Sequence, residues 1–169
     1  MLFFLVSPSY IKDRAISTFD LKDQTNRQRF EYWAAGLKII GDYPLHGTGP
    51  NTVDMVFQQT RYGLSDIARD NVHLHNNFLQ IGAERGLFTL AAWLVFVLWL
   101  FVDLVKLVKR RDSPVFPYAA GALAALVGLF FAGLFEYNFG DSEVVVLLLY
   151  ISTLPFALKR LEEESFSKG

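Results

Sequence analysis

Two of the three histidines in this 169-residue chain stand one residue apart, in His73-Leu74-His75-Asn76-Asn77-Phe78. In extended backbone, residues i and i+2 point to the same side, so this spacing puts both rings on one face. The pair could ligate a metal if further donors joined it. The chain has no cysteine and no suitably spaced carboxylate, so no metal is expected. Histidine as a residue type changes charge near neutral pH and suits proton transfer, here at the mouth of an apolar helix. A structural histidine, hydrogen-bonded in a loop, is the plain alternative.

A second group of chemistry-bearing residues lies upstream. Asn26 is placed to cap a helix running to about Ile40, with Phe30, Trp33, Ala34, Leu37 and Ile40 at helical spacing on one face. Arg27 and Arg29 fall in its first turn and Glu31 just beyond. Helix N-termini favour anions, so arginines beside free N–H groups make an anion site; solvated surface arginines are the alternative. The segment Gly47-Thr48-Gly49-Pro50-Asn51 resembles a phosphate-cradling loop only distantly, since it lacks the lysine and a preceding strand. A turn that redirects the chain is the favoured reading. Beyond it, Thr52 to about Tyr62 forms a second amphipathic helix, with Val53, Val56, Phe57 and Thr60 on one side, and residues 63–72 form a polar loop. Residues 7–25 show no periodicity and read as a connecting segment.

The elements that must hold these residues are set by where the apolar excess sits. The chain is 52% hydrophobic and 15% aromatic, above the usual 45–50% apolar. Of 33 charged residues, eighteen fall in 1–86 and six in 159–169, leaving nine across 87–158. Uncharged runs extend from Leu87 to Val102, from Val115 to Phe135 and from Val144 to Leu158. Each is a membrane-span candidate, since about 20 helical residues cross the hydrocarbon core. The third reaches spanning length with Ser142 and Glu143 at its start and Lys159 and Arg160 snorkelling at its end. Lys106, Lys109, Arg110 and Arg111 cluster between the first two runs, whereas Glu136, Asp141 and Glu143 lie between the last two. The positive-inside rule then puts the first turn and the C-terminus in the cytoplasm, and residues 8–86 and 136–143 outside. Met1–Val6 is too short to span, lacks the basic start of a signal peptide, and reads as the end of another membrane helix. A net charge of −1 argues against nucleic acid as a partner. The absence of cysteine excludes disulfides and thiol catalysis.

Three motifs in register are similar to those of the O-antigen ligase and O-antigen polymerase superfamily of bacterial polysaccharide enzymes. They are Arg29 four residues before Trp33, followed by Pro44-Leu45-His46-Gly47-Thr48-Gly49-Pro50; His75-Asn76; and, after nine intervening residues, Gly86-Leu87-Phe88-Thr89. The resemblance covers roughly residues 1–160. It implies a membrane glycosyltransferase that moves a glycan from undecaprenyl diphosphate to an acceptor sugar hydroxyl, such as that of lipid A–core, at the outer face of the inner membrane. By motif position it makes His75 the general base and Arg29 the first diphosphate ligand, with Arg27 a second. His73 and Asn76 would orient His75 or the acceptor, and Glu136 is a possible glycan contact. The reaction needs no cofactor, because the donor is already activated.

The expectation is an all-α polytopic membrane protein fragment with three transmembrane helices, a partial N-terminal span and a large external loop of amphipathic helices. Residues 1–7 end a truncated transmembrane helix, 8–86 form a periplasmic catalytic loop, 87–160 a three-helix transmembrane region and 161–169 a cytoplasmic tail. Family members usually carry ten or more spans, so a missing N-terminal transmembrane half is the expected partner, beside the bilayer. A polymerase, a protein O-oligosaccharyltransferase or a non-catalytic membrane subunit are the alternatives.

Overall fold

A computed structural model describes residues 24–167, and all their regular structure is helical. The expected membrane stub at Met1–Val6 and the connecting segment up to residue 23 lie outside the described residues. In chain order the elements are α1 (Gln24–Asp42), α2 (Val53–Phe57), a 3-10 turn (Thr60–Tyr62), α3 (Asp66–Arg69), α4 (Asn77–Val108), α5 (Phe116–Ala132), a second 3-10 turn (Asn138–Gly140) and α6 (Ser142–Ser167).

The greasy half is a set of membrane helices. α4 and α6 are long and apolar enough to cross a bilayer, and α5 is a shorter apolar helix of 17 residues. At 1.5 Å per residue α5 is about 26 Å long, near the lower limit for a span. The most apolar stretches of α4 and α6 are only 11% and 17% buried. A core helix of a water-soluble protein would hide these residues, but Phe88, Val95, Trp99, Val146 and Tyr150 all face outward. α5 packs against both neighbours, and Val97, Leu104, Ala122, Leu126 and Leu148 fill the seam.

Two boundaries differ from expectation. α5 stops at Ala132 rather than Phe135, because the Gly133 carbonyl turns aside to accept from the Asn77 N–H at 2.7 Å. A side chain at Gly133 would collide with Asn77. α6 does not end at Arg160 but continues through most of the expected tail, supported by Lys159–Glu163 at 3.4 Å and Arg160–Glu164 at 3.1 Å, both at helical i,i+4 spacing.

The polar half has its own core. Tyr32, Ala35 and Ile39 of α1 meet Val53 and Phe57 of α2, Tyr62, Leu64, Ala68 and Leu74, and Ala83 of α4. The buried face of α1 is therefore Tyr32, Ala35, Gly36 and Ile39. It is not the expected Phe30-Trp33-Ala34-Leu37-Ile40 stripe, of which Phe30, Ala34 and Leu37 are exposed. Gly36 explains the rotation: Leu74 packs so close to it that an added Cβ would lie 3.0 Å from Leu74 Cδ1. Small residues win the interface because they let the partner approach. The expected second helix also breaks. Val53, Val56 and Phe57 are buried as anticipated, but Gln59 is extended and Thr60 is exposed. Tyr62 turns inward and donates its hydroxyl to Asp42 at 3.0 Å.

One kink joins the halves. Gly86 has φ 79° and ψ 171° inside α4, a conformation open essentially only to glycine. The break frees backbone groups on both sides, and the Pro44–Gly49 turn satisfies them. Pro44 O accepts from Leu87 N at 2.8 Å, Ala83 O accepts from Thr48 N at 2.9 Å, and Glu84 O accepts from Gly49 N at 2.9 Å. The Thr89 hydroxyl donates to Arg85 O at 2.9 Å. Gly47, at φ 67°, leaves no room for a Cβ against the Glu84 backbone. The Gly-Thr-Gly-Pro-Asn segment is thus a docking turn, as favoured, with the Thr48 and Gly49 amides committed to α4.

Candidate functional site

The site forms where the chain enters α4. Leu74, fully buried, anchors the segment in the outer core, and its N–H donates to Gln80 Oε1 at 2.7 Å. The residues on either side of it then project to the same face. The His73 and His75 rings lie 4.4 Å apart, close enough to share one partner. His75 has φ 48°, a left-handed conformation that costs a non-glycine residue about 1–3 kcal/mol.

Asn76 follows as the N-cap of α4, accepting from Phe78 N at 2.9 Å and Leu79 N at 3.0 Å. Such a cap satisfies helix donors that have no partner within the helix. Its amide donates to Leu134 O at 2.9 Å. Asn77 is bound on both sides, donating to Asn138 Oδ1 at 2.8 Å and accepting from Phe139 N at 3.0 Å. The adjacent asparagines therefore staple the α5–α6 loop onto the head of α4.

That staple delivers Glu136. Its carboxylate lies 2.9 Å (Oε1) and 3.1 Å (Oε2) from His75 Nδ1, and 3.3 Å from His73 Nε2. A carboxylate only accepts, so Nδ1 of His75 carries the donated proton. Nε2 lies 2.8 Å from Asn71 Nδ2 and accepts from it. Both nitrogens are thus oriented, one by an acid and one by an amide. Partial burial works to raise the Glu136 pKa, but hydrogen bonds from His75 and from the Tyr137 N–H, with the two imidazoles nearby, outweigh it and leave the carboxyl below its ordinary value. Tyr32 borders the other side of His75, 5.7 Å away between ring centres.

The sequence-predicted residues do not all converge. His73, His75 and Glu136 come together, with Asn76 beside them. Glu136, expected as a possible glycan contact, meets the histidines. Arg27 lines a separate shallow cleft with Gln24, Gln28, Glu31, Ser65 and Ile67. Arg29 lies in the second turn of the described α1, not its first. It is half-buried and makes no hydrogen bond or ion pair among the described residues. Sequence also missed Asn71 and Gln80, which hold the histidine segment; single amides in polar stretches give no signal. Among the described residues, ligand atoms of His73, His75 and Glu136 lie within 4.8 Å of one another, so they could hold a metal ion. The carboxylate that sequence spacing did not supply comes from 61 residues away.

A family model described as O-antigen ligase matches residues 1–94. The chain belongs to the O-antigen ligase family. The matched stretch ends within α4, short of the 1–160 suggested by the motifs, and it includes Arg29, the docking turn, His75, Gly86 and Thr89. Membership makes the chain an O-antigen ligase-like membrane enzyme of glycosyltransferase type, acting on glycan and lipid-linked substrates. No curated protein and no solved structure matches it.

Proposed function

We propose that this O-antigen ligase family member transfers a glycan from undecaprenyl diphosphate to a sugar hydroxyl, with His75 as general base. The observation that carries the reading is the Glu136–His75–Asn71 array. Glu136 fixes the Nδ1–H tautomer, and Nε2 keeps the lone pair that takes the proton. The acceptor hydroxyl takes the place of the Asn71 amide at Nε2. Its oxygen attacks the anomeric carbon, its proton passes to Nε2, and the bond from that carbon to the diphosphate oxygen breaks with both electrons leaving on the diphosphate. The imidazolium formed faces the Glu136 carboxylate, which lowers the cost of its charge. Arg29, with Arg27 as a second, holds the departing diphosphate through charge-assisted hydrogen bonds.

The reaction face lies outside the cytoplasmic membrane, with residues 8–86 periplasmic and the basic Lys109–Arg111 turn cytoplasmic. Lipid A–core is the proposed acceptor, and the bilayer and further transmembrane spans are the proposed partners. The reaction as drawn uses no cofactor.

The test is glycan transfer in cells that supply the lipid-linked donor and the upstream spans of a family member. His75→Ala lowers transfer by about 10²–10⁴-fold, the usual contribution of a positioned base, at unchanged membrane level. Transfer by His75→Ala at the parental rate and equal expression sinks the assignment.

A further inference from the structure

A polar cleft of about 450 Å³ opens beside the His73–Glu136 pair, within the range of small-molecule sites. His73, Glu136, Asn51, Asp54, Tyr137 and Asp141 are among the residues that line it. With Gln80, which also lines it, the donors and acceptors are mixed: two amides, an imidazole, a phenol and three carboxylates. Among the described residues the Asp141 side chain has no hydrogen-bond partner, and Asp54 commits one oxygen to Met55 N at 2.7 Å. Tyr137 is held from behind, its hydroxyl accepting from Arg85 Nη1 at 3.1 Å. No lysine or arginine lines the cleft.

We infer that this cleft binds the acceptor sugar and selects rings that carry no negative charge. The inference rests on the proposed role of His75. Free carboxylate oxygens accept hydrogen bonds from sugar hydroxyls, and charged acceptors make the stronger bonds. The fixed tyrosine offers an apolar face beside a polar tip. A uronate or phosphorylated ring placed here meets three carboxylates and no lysine or arginine, so rejection is built into the lining. The same lack of cations makes the cleft unsuited to the donor's diphosphate, which leaves it to the acceptor. Its Glu136 wall is hydrogen-bonded to His75 Nδ1 at 2.9 Å, which links the cleft to the base although His75 itself does not line it.

Saturation-transfer NMR on the full 169-residue chain in nanodiscs tests this. The probes are neutral gluco-, galacto- and manno-tetraoses and their uronate counterparts. At least one neutral probe binds, and its uronate counterpart binds at least about tenfold more weakly. Asp54→Asn with Asp141→Asn lowers neutral binding about tenfold, the scale of a lost charge-assisted hydrogen bond. Asp54→Lys with Asp141→Lys shifts preference toward the uronates. Helix content by circular dichroism stays at the parental level, separating lost contacts from lost folding. Transfer is assayed in cells and sugar binding on the isolated chain, so failed transfer and failed sugar selection are read separately. Equal binding of neutral and uronate probes, no binding by the whole neutral panel, or indifference to the aspartate changes overturns the inference. Displacement of the neutral probe by a short-chain prenyl-diphosphate sugar assigns the cleft to the donor and overturns it as well.

Discussion

Glu136 is the residue on which the histidine geometry turns, and its two hydrogen bonds to His75 have a consequence for pH. The folded protein holds this carboxyl below its ordinary value: the raising effect of burial is outweighed by donors from His75 and Tyr137 and by the nearby imidazoles. A depressed carboxylate contributes stability that is fully present above the ordinary carboxylate range. That contribution disappears as pH falls through the lowered value. Glu136→Gln should therefore lower the thermal midpoint at neutral pH and remove part of its acid-side slope. The residue is about half exposed, so the stabilisation is modest, about 0.2–1 kcal/mol. Thermal unfolding in detergent from pH 7 to pH 3 measures both; parallel acid-side slopes for variant and parent exclude the linkage. The histidines were readable as residue types, but the extended backbone assumed by the i, i+2 reading is not adopted: His75 sits at φ 48°, and a bend in the chain brings the two rings together. Their acid partner was not readable, because it arrives from a loop made after two further apolar segments, and no local periodicity encodes a contact of that range.

At the scale of elements, Gly86 and the Pro44–Gly49 turn form a joint in which each supplies the backbone groups the other lacks. Gly86→Ala puts a Cβ against the Leu45 carbonyl and forces a residue with a side chain into a conformation that costs it about 1–3 kcal/mol or more. The expected outcome is loss of the joint, with rapid proteolytic cutting between α1 and α2 while the spans stay protected in the membrane. A parental digestion pattern would show that the kink is dispensable. The apolar runs were plain in the sequence because each lacks charge over most of its length. The rotation of α1 was hidden for the opposite reason: its two faces are similarly apolar, so periodicity offered two registers. Packing chose the one with Ala35 and Gly36, where Leu74 could approach most closely.

At the scale of the whole molecule, the basic α4–α5 turn and the histidine segment lie at opposite ends of the helical hairpins, which gives a direct test of orientation. The chain has no native cysteine, so single replacements report cleanly. Asp66→Cys should react with an impermeant thiol reagent added to intact cells, and Arg110→Cys should react only after the membrane is opened. The reverse pattern inverts the molecule. The staple formed by Asn76 and Asn77 also imposes an order on biosynthesis. Glu136 is synthesised 61 residues after His75, a delay of about 3–12 s at ordinary translation speeds. During that interval the histidines have emerged, but their acid does not yet exist. It reaches them only after α4 and α5 have threaded the bilayer in opposite directions. Assembly of the array is therefore a late event in the life of the nascent chain, and insertion of the second span is the step that completes it.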